Sequence, residues 1–216
     1  MPHATSDAVL HVQLEAFAML RRKELAMSKI RVAEIDHSPT VLLLVDFVNP
    51  LDFDGGEDIA EAAVEAARRT ASLRRRLSPT GVRTVFANDN YGMWGSDFRS
   101  LWKRCADLGG SAGQIARLIA PRQKDFSLLK PRHSSFYATP LEILLQQLHC
   151  KRLIITGIAA DSCILFSAMD AYLRGYSLWI PEDCVAAESQ DARDKALKLM
   201  ARTLKADVRP MDLGTR

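Results

Sequence analysis

Short, largely apolar runs alternate along this chain with longer stretches whose apolar residues recur every three or four positions. Val41 to Val45, Val82 to Ala87, Phe126 to Leu129, Leu153 to Thr156 and Ser177 to Pro181 belong to the first kind. Such runs predict strands that are buried on both faces of a sheet. Between them, Ala60, Ala63, Val64, Ala67 and Ala71 recur at helical spacing, and so do Leu141, Leu144, Leu145 and Leu148, then Leu197, Met200, Ala201 and Leu204. Thr139, Pro140 and Glu142 read as N-cap, first-turn proline and capping box of the second of these helices; Ser189 reads as the cap of the third. Gly109 to Gly113 reads as a flexible turn ahead of a helix near Gln114 to Ile119, since neither a following Lys-Ser/Thr nor a preceding strand supports a phosphate loop. Strand alternating with helix predicts an α/β domain: a three-layer α-β-α arrangement with a mostly parallel, Rossmann-like central sheet, right-handed crossovers and helices on both faces.

Residues 1–38 stand apart as an N-terminal helical extension to a domain spanning 39–216. Leu10, Leu14, Phe17 and Ala18 share a helical face there, ahead of Arg21, Arg22 and Lys23. That face needs cover from its own domain or from a neighbouring subunit.

Composition narrows the classes of function. The 216 residues (24.0 kDa) are 48% hydrophobic and 25% charged, which is ordinary for one folded domain. A net charge of +3 with interspersed signs gives no electrostatic case for nucleic acid or an acidic membrane. The densest basic run, Arg74-Arg75-Arg76, is expected at a solvated helix end. No apolar run approaches the ~20 residues of a membrane span, and the charged first thirty residues have no secretory apolar core, so a cytoplasmic location is expected. Cys105, Cys150, Cys163 and Cys184 form no CxxC pair and are expected as reduced thiols.

The candidate chemistry lies at strand ends, where ligands bind in open α/β sheets. Asp46 follows the first strand; it suits a ligand-facing carboxylate and a loop-entry cap equally. Lys130 ends the third strand, and Pro131 biases it to an extended backbone. The fourth strand runs through Gly157 into Ala159-Ala-Asp-Ser-Cys163, read as strand, sharp turn and helix. With Asp161 at the N-cap, Cys163 falls in the first helical turn, where the helix dipole lowers a thiol's pKa. Taken alone, that stretch also fits a small buried hydrophobe. If the three strands are neighbours, Asp46, Lys130 and Cys163 share one rim: a nucleophile, a proton carrier and a cation.

Three ordered stretches carry a family resemblance: Val41-Leu-Leu-Leu-Val-Asp46-Phe, Leu129-Lys130-Pro-Arg-His-Ser-Ser-Phe136-Tyr-Ala-Thr139, and Thr156-Gly-Ile-Ala-Ala-Asp-Ser-Cys163. Over residues 40 to 205 the chain resembles the isochorismatase-like cysteine hydrolases, which include nicotinamidases, N-carbamoylsarcosine amidase and ureide hydrolases. The resemblance implies Asp46 as proton shuttle, Lys130 as electrostatic partner and Cys163 as nucleophile. It also implies a cis peptide at Ile158–Ala159 and an oxyanion hole from the backbone N–H groups of Ala159 and Cys163. The implied activity is metal-independent cleavage of a C–N bond in a small amide, carbamoyl or ureido substrate through a thioester, with a water activated by the same carboxylate. An isochorismatase-type hydrolase of an enol ether and a catalytically silent ligand-binding homologue are the alternatives. Nicotinamidases hold a metal with an Asp followed by two histidines; here Asp89 is followed by Asn90 and Tyr91, so no metal and no cofactor is expected. Asn90, Trp94, Phe136 and Tyr137 are candidate pocket-lining residues, and His133, near Lys130, either touches substrate or makes a local hydrogen bond. By resemblance the protein is expected to be a homodimer or homotetramer, with the N-terminal helix as a possible clasp, acting on a small molecule without nucleic-acid or membrane partners.

Overall fold

The computed structural model describes residues 35–211, so the helix expected around Leu10 to Ala18 lies outside the described residues. Strand β1 (Thr40–Val45) lies at the centre of a parallel sheet, between β2 (Arg83–Asp89) and β4 (Arg152–Ile158). Strand β3 (Phe126–Lys130) flanks β2, and β5 (Ser177–Trp179) pairs with the first half of β4, giving the order β3-β2-β1-β4-β5. A further strand, β6 (Val185–Ala186), pairs with Gly157 and Ile158 at the end of β4. At two residues it is too short to show periodicity in the sequence. The chain progresses from β1 outward to β3 and then returns to place β4 on the other side of β1. That reversal opens a crevice at the carboxyl ends of β1 and β4.

Burial follows the pleat. Leu42 and Leu44 of β1, Phe86 of β2 and Ile154 of β4 join one buried cluster with α1 (Gly56–Leu77), α2 (Phe98–Asp107) and α3 (Gly110–Leu118). Val41, Leu43 and Val45 alternate to the other side. Helices α4 (Leu141–Gln147), α5 (Leu165–Leu173) and α6 (Gln190–Leu204) complete the third layer with buried Leu141, Leu145, Ala168, Ala171, Leu197 and Met200. Ser189 caps α6, its hydroxyl accepting the Ala192 N–H at 3.2 Å.

Several local expectations need correction. Helix α2 does not stand out in the sequence beside the polar loop before it; only Phe98, Leu101 and Cys105 are buried on a charged helix, opened by Asp97 accepting the Ser100 N–H at 3.0 Å. Gly109 to Gly113 is not a flexible turn, because α3 already begins at Gly110. Gly113 lies where a Cβ would sit 1.8 Å from the Leu108 carbonyl, so a close backbone approach accounts for it. The capping box of α4 does not close: Thr139 Oγ1 accepts the Leu141 N–H at 3.3 Å, but Glu142 pairs with Arg174 at 2.9 Å instead of reaching back.

Arg74 departs furthest from its expected place at a solvated helix end. It is 4% exposed, pairs with Asp125, and donates to the carbonyls of Ile119 and Ala120 just beyond α3. Its guanidinium also lies 5.4 Å from the centre of the Phe86 ring. Asp125, 51 residues away, supplies the opposite charge that makes this burial tolerable.

Two substitutions test these contacts. Arg74→Met leaves Asp125 and two carbonyls without their partner, and is expected to cost about 3–5 kcal/mol, read as a lower urea midpoint at unchanged slope. Gly157→Ala places a Cβ 1.9 Å from the Val45 carbonyl at a φ of +134°, prising β4 from β1. Its expected cost is about 1–3 kcal/mol or more in the same titration, with activity falling alongside stability.

Candidate active site

Asp46 is the first residue beyond β1, and its φ of 51° turns the chain out of the sheet. Its N–H donates to the Ala87 carbonyl at 3.0 Å, while its Oδ1 accepts the Asp89 N–H at 2.7 Å. The carboxylate is thus tied to the end of β2 and is 4% exposed.

Lys130 is the last residue of β3, in register with Asp89 of β2. Its Nζ lies 2.7 Å from Asp46 Oδ2 and 3.9 Å from Asp89 Oδ2, donates to the Arg132 carbonyl at 3.2 Å, and reaches Cys163 Sγ at 3.5 Å. Neighbouring strands are about 4.8 Å apart, so a long flexible stem is what carries an ammonium from β3 across β2 to a carboxylate on β1. The side chain is fully buried.

Cys163 follows β4. The Ile158–Ala159 peptide is cis, and Ala160 to Ile164 winds as a single π-helical turn before α5. The N–H groups of Ser162 and Ile164 both donate to the Ala159 carbonyl at 3.1 Å. Asp161 is therefore not the cap: it lies inside the turn, and no side chain caps it. The expectation that a helix terminus lowers the thiol's pKa is overturned as well. Burial pushes Cys163 up to about 12, with the Asp46 charge adding to the effect and Lys130 opposing it.

The electrostatics of the three groups interlock. Burial raises Asp46 above the ordinary carboxylate range against the pull of Lys130, the Cys163 thiol and the Asp89 N–H. Burial pulls Lys130 down, but Asp46, Cys163 and Asp89 together outweigh it and hold the ammonium above its usual value. The resting arrangement is thus a neutral thiol donating to a carboxylate that is itself paired with an ammonium.

The open side of the sulfur meets a residue that the sequence singled out only by its nearness to Lys130. His133 Nδ1 lies 3.6 Å from Cys163 Sγ and 3.3 Å from Ser162 Oγ, and its ring is tilted against Phe166 at 5.5 Å. Asp89 was noticed only as an absent metal motif; its position at the end of β2, beside the two neighbouring strand ends, is the signal that places it here.

The four pocket candidates differ in burial. Asn90 is buried, its N–H donating to the Lys130 carbonyl at 3.0 Å and its Oδ1 accepting from Gly92 N–H at 2.9 Å. Phe136 is buried with the Arg174 guanidinium 4.9 Å from its ring centre. Trp94 and Tyr137 are 80% and 60% exposed. The residues near Asp89 do not fit a histidine-held metal: Asp89 Oδ1 accepts the Tyr91 N–H at 2.6 Å, its Oδ2 faces Lys130, and neither Asn90 nor Tyr91 brings an imidazole. Among the described residues no group of three or more His, Cys, Asp or Glu side chains is placed to hold a metal ion, and no helix is long and apolar enough to cross a membrane.

Comparison with known proteins identifies a family and a fold. Residues 40–210 match the isochorismatase domain as a family. An uncharacterized isochorismatase family protein of Bacillus subtilis is 38% identical over 167 residues, covering 77% of this chain and 91% of the relative. A ureidoacrylate amidohydrolase of Methylorubrum extorquens is 40% identical over 169 residues, covering 65% of this chain and 67% of the relative. Among solved structures, the nicotinamidase of Staphylococcus aureus shares the fold with a TM-score of 0.63 at 22% identity, covering 82% of this chain and 100% of that one. The fold, the three converging strand ends and the extent of these matches lead to one conclusion: the chain belongs to the isochorismatase family.

Proposed function

We propose that this protein is a metal-independent cysteine hydrolase that cleaves a C–N bond in a small amide, carbamoyl or ureido substrate, with Asp46, Lys130 and Cys163 as its catalytic triad. The observation that carries this reading is the approach of one ammonium to both partners, 2.7 Å from the Asp46 carboxylate and 3.5 Å from the Cys163 sulfur. The ureidoacrylate amidohydrolase of Methylorubrum extorquens supports C–N cleavage.

A neutral thiol is a poor nucleophile, so its proton must leave as the sulfur attacks. Asp46 is already the acceptor of that proton. As the C–S bond forms, the carbonyl oxygen gains negative charge, which the backbone N–H groups of Ala159 and Cys163 receive. Asp46 then gives its proton to the departing nitrogen as the C–N bond breaks, leaving a thioester on Cys163. Hydrolysis of the thioester releases the acid. Throughout acylation Lys130 stays charged; its task is to keep the carboxylate anionic when the site is empty, despite burial. We further assign the protein to the cytoplasm, where reduced thiols persist, as a homodimer or homotetramer. Light scattering that gives the mass of a single chain would overturn the assembly.

A panel of small amides, carbamoyl compounds and ureides, read by ammonia or amine release, tests the assignment. Cys163→Ala is expected to abolish release, and Asp46→Asn to lower it by about 10²–10⁴-fold while the fold persists. Pyruvate release from isochorismate, with no amine from any member of the panel, would replace this reading with enol-ether hydrolysis. The pH dependence has a definite sign. Asp46 acts as a carboxylate and titrates above the ordinary aspartate value of about 3.9, so kcat/KM falls roughly tenfold per pH unit on an acid limb displaced upward from that value. A profile flat down to that ordinary value would remove Asp46 as the base.

A further inference from the structure

The sulfur of Cys163 has two unlike sides. Beneath it are Asp46 and Lys130, both buried, and every strong acceptor or donor there is engaged: Asp46 Oδ1 with the Asp89 N–H, and Oδ2 with the ammonium. On the side open to solvent, His133 Nδ1 lies 3.6 Å from the sulfur, and Ser162 Oγ lies 3.3 Å from that same nitrogen. Water that attacks a thioester on Cys163 arrives from the open side.

His133 is not a free surface side chain. The loop that carries it is fastened to α5 through Ser134, which donates to Asp170, and through the Ser135 N–H, which donates to Ser167 Oγ at 2.9 Å. Its preceding residue gives its carbonyl to Lys130 Nζ. Phe166 backs the ring, and Ser162 meets the same nitrogen that faces the sulfur. These restraints hold an imidazole nitrogen over the nucleophile, on the side where the second half of the reaction takes place.

We infer that His133 is the general base of thioester hydrolysis, working on the opposite side of the sulfur from Asp46; this rests on Cys163 being the nucleophile. With Nδ1 unprotonated, the ring takes one proton from water as the water oxygen bonds to the thioester carbon. The tetrahedral intermediate then collapses, the C–S bond breaks, and the imidazolium returns that proton to the departing sulfur 3.6 Å away. Thioester and water become acid and thiol, and both His133 and Asp46 end in their starting states. The carboxylate serves acylation and the imidazole serves deacylation, in place of one carboxylate serving both.

p-Nitrophenyl acetate is a suitable probe, because its leaving group needs no proton and its acyl group is small and planar at the carbonyl. The parent protein, His133→Asn and His133→Gln are compared by the burst of p-nitrophenolate, the steady rate after it, and the intact mass of Cys163-acetylated chain. Both variants are expected to keep a burst near one per site, which itself reports a formed nucleophile, while the steady rate falls by about 10²–10⁴-fold and acetylated chain accumulates. Hydroxylamine needs no base to attack a thioester, so adding it to the acetylated variant is expected to strip the acetyl group at the rate seen for the parent. A steady rate within about twofold of the parent, loss of the burst together with the steady rate, or an acetylated variant that hydroxylamine does not clear faster than water would each overturn the role of His133. If neither the parent nor either variant carries an acetyl group on Cys163, the cysteine mechanism falls and this inference falls with it.

Discussion

A fully buried ammonium is the constraint around which the site is built. Lys130 has no contact with solvent, and a charge moved out of water costs several kcal/mol unless partners offset it. Asp46 supplies the opposite charge at 2.7 Å, and the Arg132 carbonyl accepts another of its three protons. Those two partners lie just beyond β1 and in the loop after β3, so both are held to the end of β3 by a single group. Removing the amine would leave Asp46 as an isolated buried anion, which is why this pair is a structural element as much as a chemical one.

The same pair decides the state of the Cys163 thiol, the proposed nucleophile. With carboxylate and ammonium cancelling, a neutral Cys163 leaves the buried centre without net charge. Ionising the thiol with Asp46 already charged would add an uncompensated negative charge, consistent with a thiol pushed up to about 12. In the proposed mechanism, moving the proton from sulfur to Asp46 during attack avoids that, since the total charge of the site stays constant. Activation would then come from a base that waits beside the thiol, which differs from the helix-dipole route expected from the sequence. The two routes use the same residue types, and only the arrangement of burial separates them.

That difference marks where the sequence is legible. Continuous apolar runs gave the strands, their ends gave Asp46, Lys130 and Cys163, and the fold follows because parallel strands must be covered on both faces. Local grammar failed where a distant partner overrode it. Arg74 looks like a helix-end cation until Asp125 and the Ile119 and Ala120 carbonyls are brought to it. Glu142 looks like half of a capping box until Arg174 claims it. Asp161 looks like an N-cap because a run of residues does not announce that its first turn will be π-helical rather than α-helical. Each of these depends on contacts between residues far apart in the chain, or on a backbone hydrogen-bonding choice that side-chain spacing does not encode.

The position of the crevice follows from the register of β1 and β4. Val45 faces Gly157 across the two strands so closely that a Cβ on Gly157 would lie 1.9 Å from the Val45 carbonyl. Beyond this pair the chains part: β1 gives way to Asp46, while β4 runs on through Ile158, paired with β6, before the turn that leads to Cys163. A tight strand contact followed immediately by divergence sets carboxylate and sulfur on facing walls, and it does so at the point where the winding of the sheet reverses. Lys130 then enters from β3, the far side of β2, and closes the bottom of the cleft with its charge satisfied. The top is left to polar side chains, His133 and Ser162, on segments joined to α5. In the proposed mechanism the buried ion pair below manages the sulfur's proton, and the side of His133 and Ser162 admits substrate and water. A hydrolase that works through a covalent intermediate needs both, because the group that frees the nucleophile is shielded from the water that must later release it.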